Sequence, residues 1–173
     1  MRMGRVVALA CLMLGCICGT AWADGSKVAV LNLQDAIFNT EEAKAQLTAL
    51  EQTPDFSENK KQAEALKKKY DDEVAKFNKN RETMSAEMEN EQASRIKQIG
   101  TDLDFVVKKL QGAQQEVAQR IMREMSERAN TVVMDLVKAE SIGLLLNGQA
   151  AYFADAGFNI TSKVTDKLNQ LKK

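Results

Sequence analysis

Ile142 to Thr161 reads IGLLLNGQAAYFADAGFNIT. An apolar run, then Asn147-Gly148, then a second apolar run predict a β-hairpin with LLLN and AAYFA as its strands. Asn-Gly suits a two-residue type I′ turn, which needs positive φ at both central positions. A lone two-stranded hairpin is marginal in water. The other compact β-branched run is KVAVLNL, Lys27 to Leu33, more than a hundred residues earlier. Val28, Val30 and Asn32 fall on one face of that strand, and Ala29, Leu31 and Leu33 on the other. Apolar residues on both faces predict a strand covered on both sides. The two ends of the chain are therefore expected to build one three-stranded sheet, and everything between is an excursion that leaves it and returns.

The excursion reads as helix. QDAIFNTEEAKAQLTALEQ predicts one helix with Asp35 as its cap, ended by Pro54, the only proline. A second helix is expected from Ser57 to about Asn80, where Ala63, Leu66, Tyr70, Val74 and Phe77 recur at spacings of three and four. NKNRETMS, Asn78 to Ser85, is the turn, with Thr83 or Ser85 capping the next helix. That third helix should run from Ala86 to about Lys138, roughly 80 Å at 1.5 Å per residue. Ile96, Ile99, Leu103, Val106, Leu110, Ala113 and Val117 keep a coiled-coil seam. After Val117 the steps become four, four and four, through Ile121, Met125 and Ala129. Such a stutter unwinds a supercoil and predicts a change of partner, from the returning arm to the first helix and the sheet. Gly100 and Gly112 are read either as bending points or as tolerated imperfections. A final helix is expected after Thr161 as N-cap, with Val164, Leu168 and Leu171 on one face.

Residues 1–23 are expected to be a cleaved signal peptide. Arg2 and Arg5 precede an apolar run from Val6 to Cys18, and Ala21-Trp22-Ala23 supplies the cleavage pattern. Lipidation at Cys16 is the alternative, though Met13 and Leu14 fit a lipobox poorly. The expected mature chain is residues 24–173, exported to a bacterial periplasm. All three cysteines and the single tryptophan lie in the leader, and the chain has no histidine. Packing or oligomerisation, not disulfides, must then hold the mature protein.

The same inventory bounds the chemistry. Without Cys or His, thiol nucleophiles, imidazole bases and the usual zinc sites are excluded. No glycine-rich phosphate loop is present, so no enzyme activity and no cofactor are expected. Asp71-Asp72-Glu73 and Glu87/Glu89/Glu91 lie on helix patterns among lysines and read as solvated faces. The mature chain carries 22 basic and 24 acidic side chains, a net −2, with no bulk basic charge for nucleic acid. Charge is unevenly placed: Ser57 to Arg81 is net +3 and Glu82 to Ile99 net −2, so antiparallel packing would set opposite charges side by side.

VAVLNLQDAIFNT, GLLLNGQAAYFADAGFNIT and the terminal SKVTDKLNQLKK give the chain its resemblance to the Skp/OmpH family of periplasmic chaperones. The A-x-Y-x-A-D segment and the N-I-T before the last helix are the most telling parts. The resemblance implies an α+β, mostly α fold. A small β-barrel body forms on trimerisation, and long antiparallel helical-hairpin arms protrude from it. Residues 24–55 and 109–173 would form the body and residues 56–108 the arm. It further implies a homotrimer whose arms enclose unfolded outer-membrane proteins, holding them without ATP for delivery to outer-membrane assembly. Some members are strongly basic and bind lipopolysaccharide or anionic lipid; at −2 this chain departs from them, and only a weak membrane or lipopolysaccharide contact is left open. Oligomerisation also follows from the strands alone. A three-stranded sheet has two open edges, and three copies supply about nine strands, enough to close a barrel filled by side chains.

Candidate client contacts are Tyr70, Phe77, Met84 and Met88. The two methionines, near the turn, offer adaptable apolar surface, with packing of the hairpin tip as the rival reading. The two aromatics fit the arm's seam first and a client contact second. Val28, Val30, Leu144, Leu146 and Tyr152 are the candidate oligomer interface. A structural coiled-coil spacer of the cell envelope is the alternative function, and a lipid-binding adaptor a third.

Overall fold

The computed structural model describes residues 27–171. The signal-peptide and lipidation expectations lie outside the described residues. The chain runs β1 (Lys27–Leu31), α1 (Leu33–Phe38), α2 (Glu41–Glu51), α3 (Pro54–Asn80), α4 (Ala86–Ala139), β2 (Ile142–Asn147) and α5 (Thr161–Gln170). A short 3₁₀ turn, Arg81–Thr83, joins α3 to α4. It is a mostly helical fold with one small strand pair.

The expected hairpin does not form. β2 pairs with β1 and runs parallel to it, with Val28 opposite Leu144, Ala29 opposite Leu145 and Val30 opposite Leu146. Asn147 and Gly148 do not reverse the chain as a type I′ turn would: Asn147 is extended, and no described glycine has positive φ. The Asn147 side chain instead accepts the Gln149 N–H at 2.9 Å, an Asx turn that leads the chain off the end of β2. Ala151–Ala154 forms no strand. The chain loops past it and meets the other edge of β1 at one parallel bridge, Val30 to Asn159, where the Ile160 N–H donates to the Val30 carbonyl at 2.9 Å. β1 is thus the middle of the sheet. A third antiparallel strand is replaced by this single bridge.

The first helix is broken where the sequence pattern predicts continuity. Thr40 is buried between α1 and α2. Its hydroxyl donates to the Ile37 carbonyl at 2.7 Å and accepts the Ala43 N–H at 3.2 Å, so it closes one helix and opens the next. α1 is capped by Asn32, whose side chain accepts the Asp35 N–H at 3.2 Å; Asp35 is the third residue of the helix and not its cap. Pro54 opens α3 at its first turn, behind the Thr53 cap, three residues before the expected start. Ser85 caps α4, as one of the two expected candidates.

One core joins α1, α2, the second half of α4, α5 and the inner face of the sheet. Ile37, Ile121, Met125 and Val164 are fully buried in it, with Ala29, Leu31 and Leu168 around them. Each large apolar side chain buried there contributes roughly 1.5–3 kcal/mol. Val117, Ile121, Met125 and Ala129 all belong to this core, so the stutter in α4 does mark the change of partner. No residue of α3 joins it.

Polar ties fasten the two chain ends. The Thr161 hydroxyl accepts the Asn32 N–H at 3.0 Å, and the buried Thr165 hydroxyl donates to the Ala36 carbonyl at 2.9 Å. Thr161 is therefore the first residue of α5 and not its cap; the Asn159 side chain takes the Thr161 N–H at 2.9 Å.

Candidate functional site

Two surfaces stand apart from this core. The first is the outer face of the sheet. Side chains alternate across a strand, so Ala29, Leu31 and Leu145 pack inward while Val28, Val30, Leu144 and Leu146 share the other face. Val28 is 40% exposed, Leu144 50% and Leu146 38%. Val30 is buried within the single chain, at the edge bridged by Asn159. Tyr152 and Phe153, in the loop after β2, are almost wholly exposed. The strand expected to be covered on both sides is covered by its own chain on one. The free edge of β2 pairs with no strand among the described residues.

The second surface is the helical hairpin of α3 and α4. Lys109 donates to the Asn59 side chain at 3.1 Å, the Tyr70 ring packs at Gly100, and Arg81 pairs with Glu89 at 2.9 Å across the tip. One antiparallel register therefore runs the length of the arm. Its apolar seam is narrow. Phe56 is the buried residue of α3, and Ile99 and Val106 are buried on the facing part of α4. A Cβ on Gly100 would lie 3.3 Å from the Tyr70 ring. Gly100 is a slot for that ring, which neither sequence reading of this glycine anticipated. Gly112 meets nothing within 4 Å and has no such reason.

The four candidate contacts on the arm separate by depth. Tyr70 and Phe77 are half-buried along the seam, with the Arg81 guanidinium 5.9 Å from the Phe77 ring. Met84 is half-buried in the turn. Met88 is 58% exposed and lines a cleft of about 290 Å³ between α3 and α4, beside Lys76, Gln92 and Arg95. Phe105, not singled out from sequence, is 64% exposed, with the Lys109 ammonium 5.9 Å from its ring. The signal was there: Phe105 lies one position off the seam residue Val106, on a helix that has no room for it inside.

The arm's charges are mostly spent within single helices. Lys67–Asp71, Lys76–Glu73, Arg95–Glu91 and Lys108–Asp104 are all neighbours one turn apart. Among the described residues Arg81–Glu89 is the one ion pair that joins the two halves of the arm, so the expected cross-arm pairing of opposite charges is confined to the tip. Cross-element charge pairing is stronger in the body, where Arg128 grips Glu42 with two hydrogen bonds of 3.0 and 2.9 Å. Among the described residues no group of acidic side chains converges to hold a metal ion, and no helix is long and apolar enough to cross a membrane.

A sheet whose outer face is open and a long two-helix arm outside the core are the features by which relatives can be compared. The chain matches the family model of OmpH-like outer membrane proteins over residues 27–168, and it belongs to that family. Among solved structures it is similar to an OmpH-like outer membrane chaperone candidate from Caulobacter crescentus. The two share 18% sequence identity, with 84% of this chain and 85% of that chain covered and a TM-score of 0.46. No curated protein matches it.

Proposed function

We propose that the protein is a periplasmic chaperone of the holdase kind: it captures unfolded outer-membrane proteins between its arms, prevents their aggregation and releases them for outer-membrane assembly. The contrast between arm and body carries this reading. The body closes a full core, whereas the arm has a seam little more than one side chain wide and leaves Met88 and Phe105 in solvent. An arm of that kind offers many weak apolar and charged contacts. Enclosure sums them through effective concentration, and no ATP is needed.

The body is the place of assembly in this reading. Val28, Leu144 and Leu146 present apolar surface beside an open strand edge, and such an edge invites pairing with another chain. Three copies that close their sheets into a small barrel, with Tyr152 at the seam between copies, would cover both. Residues 24–55 and 109–173 then form the body and 56–108 the arm. Residues 1–23 direct export and are removed. Membership of the OmpH-like family supports both the chaperone role and the outer-membrane clients.

Purified protein added to a porin diluted from urea should suppress the rise in light scattering. An envelope spacer of the same shape would leave aggregation unchanged, and that result would overturn the reading.

A further inference from the structure

We propose that Met88 at the arm tip is an oxidation-sensitive contact, through which a peroxide turns client capture down. The inference rests on the client-holding role of the arm. The expected mature chain has no cysteine, so its only oxidisable sulfur is in methionine. Five methionines fall in the described residues, and the fold sorts them. Met125 is 1% exposed in the core, Met84 and Met122 are half-buried, and Met88 and Met134 stand in solvent. Oxidation follows exposure.

Met88 differs from Met134 in what surrounds it. It is the third residue of α4, with its N–H donated to the Ser85 cap at 3.3 Å, so its backbone is fixed at the rim of the tip cleft. Gln92 and Arg95 line the same cleft, one and two turns further along α4, with Lys76 facing them from α3; Glu73 and Glu91 line it too and pair with Lys76 and Arg95. As a thioether, Met88 offers a flexible apolar end to a client. A sulfur lone pair attacks one oxygen of hydrogen peroxide, the O–O bond breaks, and the departing hydroxide takes the proton of the transferred hydroxyl and leaves as water. Sulfur is oxidised by two electrons and the peroxide reduced. The sulfoxide oxygen is a strong acceptor that holds water, while Lys76 and Arg95 beside it stay paired with Glu73 and Glu91. The side chain becomes polar and hydrated, and its apolar end is lost to the client. A sulfoxide reductase can restore it, because the cleft opens to solvent.

The test uses the full mature protein in a Met134→Leu background, treated with hydrogen peroxide and cleared with catalase before porin is added. Peptide mass mapping should find Met88 sulfoxide at least ~10-fold ahead of Met125, in line with their exposure. Treated protein should need roughly 3- to 10-fold more chaperone for half-maximal protection, the scale of one lost apolar contact. In Met88→Leu the treated-to-untreated ratio should stay near one. Sulfoxide reductase should return the treated parent to its starting value. Equal protection before and after oxidation, or the same loss in Met88→Leu, overturns the inference while the chaperone reading stands. Failure of the untreated protein to protect porin overturns both.

Discussion

The Thr161 hydroxyl accepts the Asn32 N–H at 3.0 Å, joining residues 129 positions apart. With it, the end of β1 is held against the start of α5, and the whole arm becomes an insertion between two fastened ends. Thr161→Val keeps the shape and removes the acceptor, leaving a half-buried N–H unpaired. The expected cost is about 1–2 kcal/mol, read as a lower denaturant midpoint with an unchanged slope.

Ser141 links α4 to β2 with φ of 54°, the one positive-φ residue other than glycine among the described residues. The left-handed region costs an L residue about 1–2 kcal/mol, and glycine escapes most of that at some cost in chain entropy. Ser141→Gly should therefore stabilise the protein by about 0.5–1 kcal/mol, measured by chemical denaturation. Ser141→Val should destabilise it, because a β-branched side chain fits that conformation worst.

Gly100 and Gly112 lie in the same helix and should answer an Ala substitution differently. Gly112→Ala meets open space and should gain close to the full helix-propensity difference, about 0.8–1 kcal/mol. Gly100→Ala pushes a methyl to 3.3 Å from the Tyr70 ring and should gain distinctly less. Amide exchange of the flanking α4 residues reads the difference locally, where a global melt would blur it.

These contrasts mark what could be read from the sequence. The 3–4 seam, the stutter after Val117 and the turn before Ser85 are local patterns that stand where they are placed, and β1 starts as expected but ends at Leu31, two residues early, because Asn32 caps α1. The break at Thr40 is made by local cap bonds to Ile37 and Ala43, a signal masked by the helical run around it, and its burial is tertiary. A threonine that ends a helix here is buried against Met125, with its Oγ1 3.7 Å from the sulfur. Asn147-Gly148 misled for a tertiary reason. Its neighbours favour a hairpin, but β2 finds its partner in β1, more than a hundred residues away, and the Asx bond to Gln149 redirects the chain. On the arm, spacing assigned Tyr70 and Phe77 to the seam before a client surface, and both are half-buried there. The narrowness of the seam, which leaves Met88 and Phe105 outside, is visible only once the two helices are paired.

Leu146→Asp separates chain folding from assembly. Leu146 lies on the outer face of the sheet and is already partly in water within one chain. The charge should cost the isolated chain little and the assembled sheet several kcal/mol. The variant is expected to keep its helical circular dichroism and to sediment as a single chain. An intact oligomer in this variant would place the interface elsewhere.

Salt offers a separate check on the same interface. Apolar burial should hold the oligomer together through 0.5 M NaCl, on the order of the concentration at which exposed charges are screened within a few ångströms. Porin capture, which draws on exposed arm charges, should weaken over the same range. Sedimentation and light scattering at matched ionic strengths compare the two directly.

The most direct measurement removes the arm. Phe56 is buried opposite the α4 seam, and Lys109 meets Asn59 across the hairpin, so the two helices are already side by side at that level. Ser57–Lys108 can be replaced by a helix–helix loop of roughly 2–8 residues, at little cost because loop entropy changes slowly with length. Light scattering of a porin diluted from urea is then followed with the armless body in place of the full protein. The expected trace is that of porin alone, with no protection at any concentration tested. Protection equal to that of the full protein would put the client on the body and contradict the role assigned to the arms.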